Sequence, residues 1–114
     1  MTWGAAELEP EVERWFLGLN DRHRGTVAFY VDLLVARGPL LGDPYTRQLD
    51  GKLRELRFHL GTDAVRITYW IASGRRIILL TVFRKQRMRE TGEIERARQA
   101  MVRCADEQHT ADEE

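Results

Sequence analysis

Between Leu53 and Arg87 the chain reads LRELRFHLGTDAVRITYWIASGRRIILLTVFRKQR, in which three strand-like runs, LRELRFHL, AVRITYWIA and RIILLTVF, are divided by short glycine-containing turns. Runs of this length, with turn residues between them, predict neighbouring antiparallel strands. Side chains alternate between the faces of a strand, which sorts the first two runs. Arg54, Leu56, Phe58 and Leu60 share one face, and Glu55, Arg57 and His59 the other. In the second run Val65, Ile67, Tyr69 and Ile71 oppose Arg66, Thr68, Trp70 and Ala72. Arg57 and Arg66 can therefore stand on one polar face, whereas Arg54 turns away and Tyr69 falls with the core residues. The third run is apolar on both sides, as expected of a strand inside the sheet. It ends abruptly in Arg84, Lys85, Arg87 and Arg89.

A single sheet face of this kind needs helices to cover it. Pro10 suits a first helical turn, Glu11 and Glu13 favour its positive end, and Val12, Trp15, Phe16 and Leu19 recur at helical spacing. Asn20 or Asp21 can cap a second helix, which runs to about Ala36 with Val27, Phe29, Tyr30, Val31, Leu33 and Leu34 as its apolar content and stops at Gly38 and Pro39. So short a connection predicts an antiparallel helical hairpin. Before it, WGAAEL is a candidate N-terminal edge strand. The segment GPLLGDPYTRQLDGK reads as irregular surface chain. After Gly92 a last helix is expected, with Glu93 and Glu95 at its start and Ile94, Ala97, Met101 and Cys104 or Ala105 as its buried stripe. The predicted class is α+β: a small antiparallel sheet of three strong strands and one candidate edge strand on an N-terminal helical hairpin, with a C-terminal helix. It forms one domain over 1–105, and 106–114 is an acidic tail without packing residues, expected to be frayed.

Charge is unevenly spread along the chain. From Arg47 to Arg103 there are 14 Lys and Arg against 6 Asp and Glu, whereas residues 1–46 carry 4 against 7 and residues 104–114 none against 5. A basic centre between acidic ends fits a polyanionic partner and equally a solvated charged surface. No stretch approaches the roughly 18 to 20 apolar residues of a membrane span, and the N-terminus lacks the basic and then apolar regions of a secretory signal. The chain thus reads as cytosolic, with no membrane partner. One cysteine, Cys104, makes no internal disulfide and reads as a small apolar residue on a helix.

Other chemistries find little support. His23, His59 and His109 lie in three different elements without metal-ligand spacing, so no metal is expected. Ser73 sits in Ala72-Ser73-Gly74, which is not a GxSxG elbow, and no Gly-rich phosphate loop is present. What remains is arginine and lysine on a sheet face.

The ordered signals LRELRF, a Gly turn, VRITYW, IILLTVFRKQR and a helix opening EIERA resemble the RelE/HigB superfamily of toxins of type II toxin–antitoxin systems, its phage-like HigB branch above all. The resemblance covers roughly residues 3 to 105, including PEVERWFLGL and the loop before the first strong strand. It implies a small antiparallel sheet with a helical hairpin, and a ribosome-dependent endoribonuclease, an mRNA interferase, that cuts mRNA in the ribosomal A site and so inhibits translation. It also implies a helix-turn-helix antitoxin as partner, contacts to mRNA and ribosomal RNA, and no cofactor. Carried onto this chain, Arg57 and Arg66 contact the scissile and neighbouring phosphates, and Lys85 stabilises the transition state, moves a proton or merely steers phosphate. Arg84, Arg87 and Arg76 would bind RNA or the ribosome, and Trp70 would stack on a base.

Cleavage of RNA by its own 2′-hydroxyl needs in-line geometry, charge stabilisation and proton transfer, none of which requires a metal in principle. The proton-transfer group is the gap. Many members of the family it resembles place a Tyr, or a His or Asp with Tyr, late in the chain, whereas this one has no Tyr or Trp after Trp70. His59, Glu90 and His109 are the candidate acid or base. A catalytically weak RNA- or ribosome-binding module of the same fold is the alternative reading, and a free-standing nuclease a third.

Overall fold

A computed structural model describes the backbone of residues 2–113 and the side chains of residues 2–107. Strand β1 (Ala5–Leu8) precedes helices α1 (Pro10–Leu17) and α2 (Asp21–Arg37); strands β2 (Thr46–Asp50), β3 (Leu53–Leu60), β4 (Asp63–Ala72) and β5 (Arg76–Arg84) follow, then helix α3 (Thr91–Glu113). They form one five-stranded sheet in the order β1-β5-β4-β3-β2. The expected α+β class is therefore the observed one. WGAAEL does supply the edge strand, but β1 runs parallel to β5 while every other pair is antiparallel.

One expectation needs correcting. The segment read as irregular contains β2, with Thr46 opposite Leu56 and Arg47 opposite Glu55. TRQLD is too polar to announce itself, and the neighbouring edge of β3 is what makes it a strand. Helix α2 is capped by Asn20, whose side chain accepts from the His23 backbone N–H at 2.8 Å. It ends at Gly38, whose φ of +54° suits glycine and whose α-carbon lies so close to the Trp3 ring that a Cβ would clash at 2.3 Å.

The sheet divides two cores. On one face Leu56, Phe58, Ile67, Tyr69, Ile77 and Leu79 pack under the N-terminal helices, which contribute Val12, Val27 and Leu34 together with the half-buried Trp15, Phe16 and Tyr30. Phe29, counted in the apolar content of α2, is exposed. On the other face Leu53, Ala72, Ile78 and Leu80 pack under Ala97 and Cys104 of α3, with Trp70 and Met101 at the margin. The face read as polar is thus half apolar, and α3 covers that half. The expected frayed tail falls, from residue 108 on, outside the described side chains, and so does His109. Among the described residues no helix is long and apolar enough to cross a membrane.

Candidate functional site: an arginine cleft on the sheet face

The α3 side of the sheet changes character along the strands. Trp70 stands opposite Ile78, where the surface is apolar. In the next row Arg47, Glu55, Thr68 and Thr81 face one another across four strands, with the two threonine hydroxyls 2.6 Å apart. The row beyond carries Arg57, Arg66 and Phe83. Past β5 the chain turns through 85–90 and enters α3, leaving a cleft of about 130 Å³ lined by Arg47, Glu55, Arg57, Arg66, Lys85 and Glu90, among others.

Arg57 and Arg66 are direct cross-strand partners. The Arg57 backbone N–H donates outward to the Tyr45 carbonyl at 2.8 Å, so the Arg57–Arg66 pair is of the non-hydrogen-bonded kind, in which side chains approach most closely. Like charges set opposite each other are destabilising unless something compensates them. Glu55 does so in part: its carboxylate lies 3.9 Å from the Arg57 Nε and 3.8 Å from the Arg66 Nε. Those are ion-pair distances, too long for hydrogen bonds. Both Nε atoms are buried, and neither has a hydrogen-bond partner among the described residues. Unsatisfied buried guanidinium N–H groups are costly, and an anionic ligand would satisfy them. Burial, then the nearby Arg57, pull the Arg66 guanidinium below its usual range.

Glu55 is the acidic group that the sequence reading passed over as a candidate. It is 7% exposed, and burial pushes its carboxyl above the ordinary carboxylate range against the pull of Arg66, Arg57, Lys85 and Arg47. A carboxyl raised in this way is suited to proton transfer. The signal in the sequence was its position, an acid alternating in step with Arg57.

The remaining candidates scatter. Lys85 lines the cleft, but its ammonium donates to the carbonyls of Arg87 at 2.7 Å and Met88 at 3.2 Å, tying down its own loop. Glu90 accepts from the backbone N–H groups of Gln86 and Arg87, which hold its carboxyl below the usual range, opposite to what a proton store at neutral pH needs. Trp70 packs beneath α3, away from the arginines. There the Cys104 thiol is raised by burial. Arg76 pairs with Glu7 at 2.6 Å at the β1 edge of the same face, beside Ile78 and Cys104, and Arg84 lies 3.6 Å from Asp63 at the end of the sheet. Arg87 is exposed on the loop. His59 stands at the open edge of β3, beside Tyr45. Arg54 bonds the Tyr69 hydroxyl and the Thr46 hydroxyl on the opposite face, as the alternation required. No three His, Cys, Asp or Glu residues come together as a metal site among the described residues.

A small, mostly antiparallel sheet with N-terminal helices, one C-terminal helix and a cationic cleft defines a class, and sequence comparison identifies it. Residues 14–102 match the family described as "Phage derived protein Gp49-like (DUF891)", and the chain belongs to it. It is also 38% identical over 80 residues, 67% of this chain and 68% of the relative, to the "Putative toxin HigB3" of Mycobacterium tuberculosis (strain ATCC 25618 / H37Rv). The HigB-type resemblance read from the strand motifs is thereby borne out.

Proposed function

We propose that this chain is the toxin of a toxin–antitoxin pair and acts in the cytoplasm as a ribosome-dependent endoribonuclease on mRNA. The toxin role rests on family membership and on the likeness to the HigB3 relative. The nuclease role rests on one observation: two cross-strand arginines, Arg66 buried and Arg57 partly so, whose buried Nε groups have no hydrogen-bond partner among the described residues, with a carboxyl of raised pKa between them.

The chemistry follows from that arrangement. Arg57 and Arg66 grip the oxygens of the scissile phosphate, and their fixed charge favours the additional negative charge of the pentacovalent state. The 2′-oxygen attacks phosphorus and the P–O5′ bond breaks, leaving a cyclic phosphate and a 5′-hydroxyl. Glu55 accepts the 2′-hydroxyl proton. The leaving oxygen takes a proton from Lys85, once that ammonium is released from its loop, or from water. Arg84 and Arg87 lie outside the cleft as contacts to RNA, and a helix-turn-helix antitoxin silences the enzyme by covering the cationic face.

A binding module that does not cut has its own support, because Lys85 and Glu90 are both engaged in their loop. Expression without antitoxin separates the two. The nuclease reading expects growth arrest with new mRNA 5′ ends by primer extension, relieved in Arg66→Lys, which keeps the charge but loses the guanidinium fork. Normal growth with soluble protein present and no new 5′ ends would sink the nuclease reading. Cleavage of naked RNA without ribosomes would point instead to a free-standing nuclease.

A further inference from the structure

A second cleft, of about 360 Å³, opens at the sheet edge just before β2 begins, and it shares Arg57 and Arg66 with the first. Its other walls are Tyr30, Pro44, Tyr45, Phe58 and His59. Tyr30 stacks on Phe58 with centroids 5.1 Å apart and planes 12° from parallel, while Tyr45 leans on Tyr30 at 6.3 Å and keeps 37% of its surface exposed. The stack is held from within the N-terminal core, and Tyr45 is its accessible end.

The strand edge supplies polar groups beside these rings. Arg57 spends its outward N–H on Tyr45, and β2 pairs with β3 only as far as Leu56. Two residues on, His59 points its own N–H and C=O toward the same side, beyond the start of β2, because outward groups recur every second residue in an antiparallel strand. An aromatic surface for stacking, an adjacent donor and acceptor for a base edge, and a phosphate-gripping arginine shared with the neighbouring cleft are the components of single-stranded RNA recognition.

We propose that this edge cleft holds the nucleobase next to the phosphate gripped by Arg57 and Arg66, with Tyr45 as the stacking side chain and the His59 backbone reading the base edge. The proposal deepens the nuclease reading and rests on it. It assigns base selection to the β3 edge and gives the chain the stacking platform it lacks after Trp70. The volume falls within the range of roughly 300 to 1,000 Å³ typical of small-molecule sites.

Titration of the whole protein with adenosine, guanosine, cytidine and uridine monophosphates, and with ribose 5-phosphate, followed by NMR of the Arg Nε–H and aromatic ring resonances, tests this. Ribose 5-phosphate should move only the arginine signals; at least one nucleotide should also move Tyr45 and bind more tightly. Tyr45→Ala should weaken that nucleotide by about 5- to 150-fold, the range of one base–aromatic stack, leave ribose 5-phosphate unchanged, and be rescued by Tyr45→Phe. Equal affinity for nucleotides and ribose phosphate, or an equal loss for both in Tyr45→Ala, overturns the base pocket while leaving the arginine cleft standing. No arginine response to any of these ligands overturns both. A response of the Tyr45 and His59 signals to an antitoxin peptide alone would reassign the open β3 edge to strand addition.

Discussion

The two ends of one sheet face are built from the same strands and behave oppositely. Where Leu53, Ala72, Ile78 and Leu80 project, α3 lies down and closes them with Ala97 and Cys104. A few residues further along β3 and β4, Glu55, Arg57 and Arg66 project from the same side, and the chain swings out through 85–90 before α3 begins. Apolar side chains gain by excluding water. Buried guanidinium groups need partners, and the fold leaves them an opening rather than a lid. The Thr68 and Thr81 hydroxyls, bonded to each other, mark the boundary. The contrast shows that α3 covers this face only as far as its own apolar stripe has something to bury.

Substitutions at the two ends should therefore separate stability from activity. The deepest loss of stability is expected from the buried sheet: Ile67→Ala, at a fully buried position, should cost about 2–5 kcal/mol by urea denaturation. At the charged end, Arg57→Lys or Arg66→Lys should keep the fold and lower cleavage by about 10²- to 10³-fold, the usual effect of losing one well-placed electrostatic donor. Equal damage to stability and activity in both sets would erase the contrast.

Glu55 sharpens the comparison through pH. Its folded pKa is raised, so the folded state holds the proton more tightly than the unfolded chain does. Its contribution favours the fold at low pH and is lost as pH rises from the ordinary carboxyl range through the raised folded value. Glu55→Gln should thus gain stability relative to wild type as pH increases over that interval, and should flatten the acid limb of the cleavage rate. Glu7 behaves in the reverse sense. The Arg76 hydrogen bond lowers its pKa, so its contribution is present above the ordinary carboxyl range and disappears as pH falls through the lowered value. Being a half-exposed pair, its removal in Glu7→Gln should cost no more than about 1 kcal/mol, and less in high salt.

Alternation alone was enough to put Arg57 and Arg66 on one face, Arg54 on the other and Tyr69 in the core, because the two-residue period of a strand is independent of what packs on it. The helix stripes and the interior position of β5 followed from residue pattern in the same way. TRQLD was missed as a strand because its pairing comes from β3 and not from its own residues. Trp70 and Arg76 carried side chains suited to RNA, but strand position took one beneath α3 and the other to Glu7.

The sequence by itself thus determined the α+β class, the faces of the strands and the concentration of positive charge, all of which depend on local period and composition. Tertiary structure alone decided that Arg57 meets Arg66 in register, that Glu55 is buried between their charges, and that β2 begins only at Thr46, leaving an open edge beside Tyr45. Register, burial and strand length are set by contacts between segments distant in the chain, and a raised carboxyl pKa exists only once those contacts have removed water from around it.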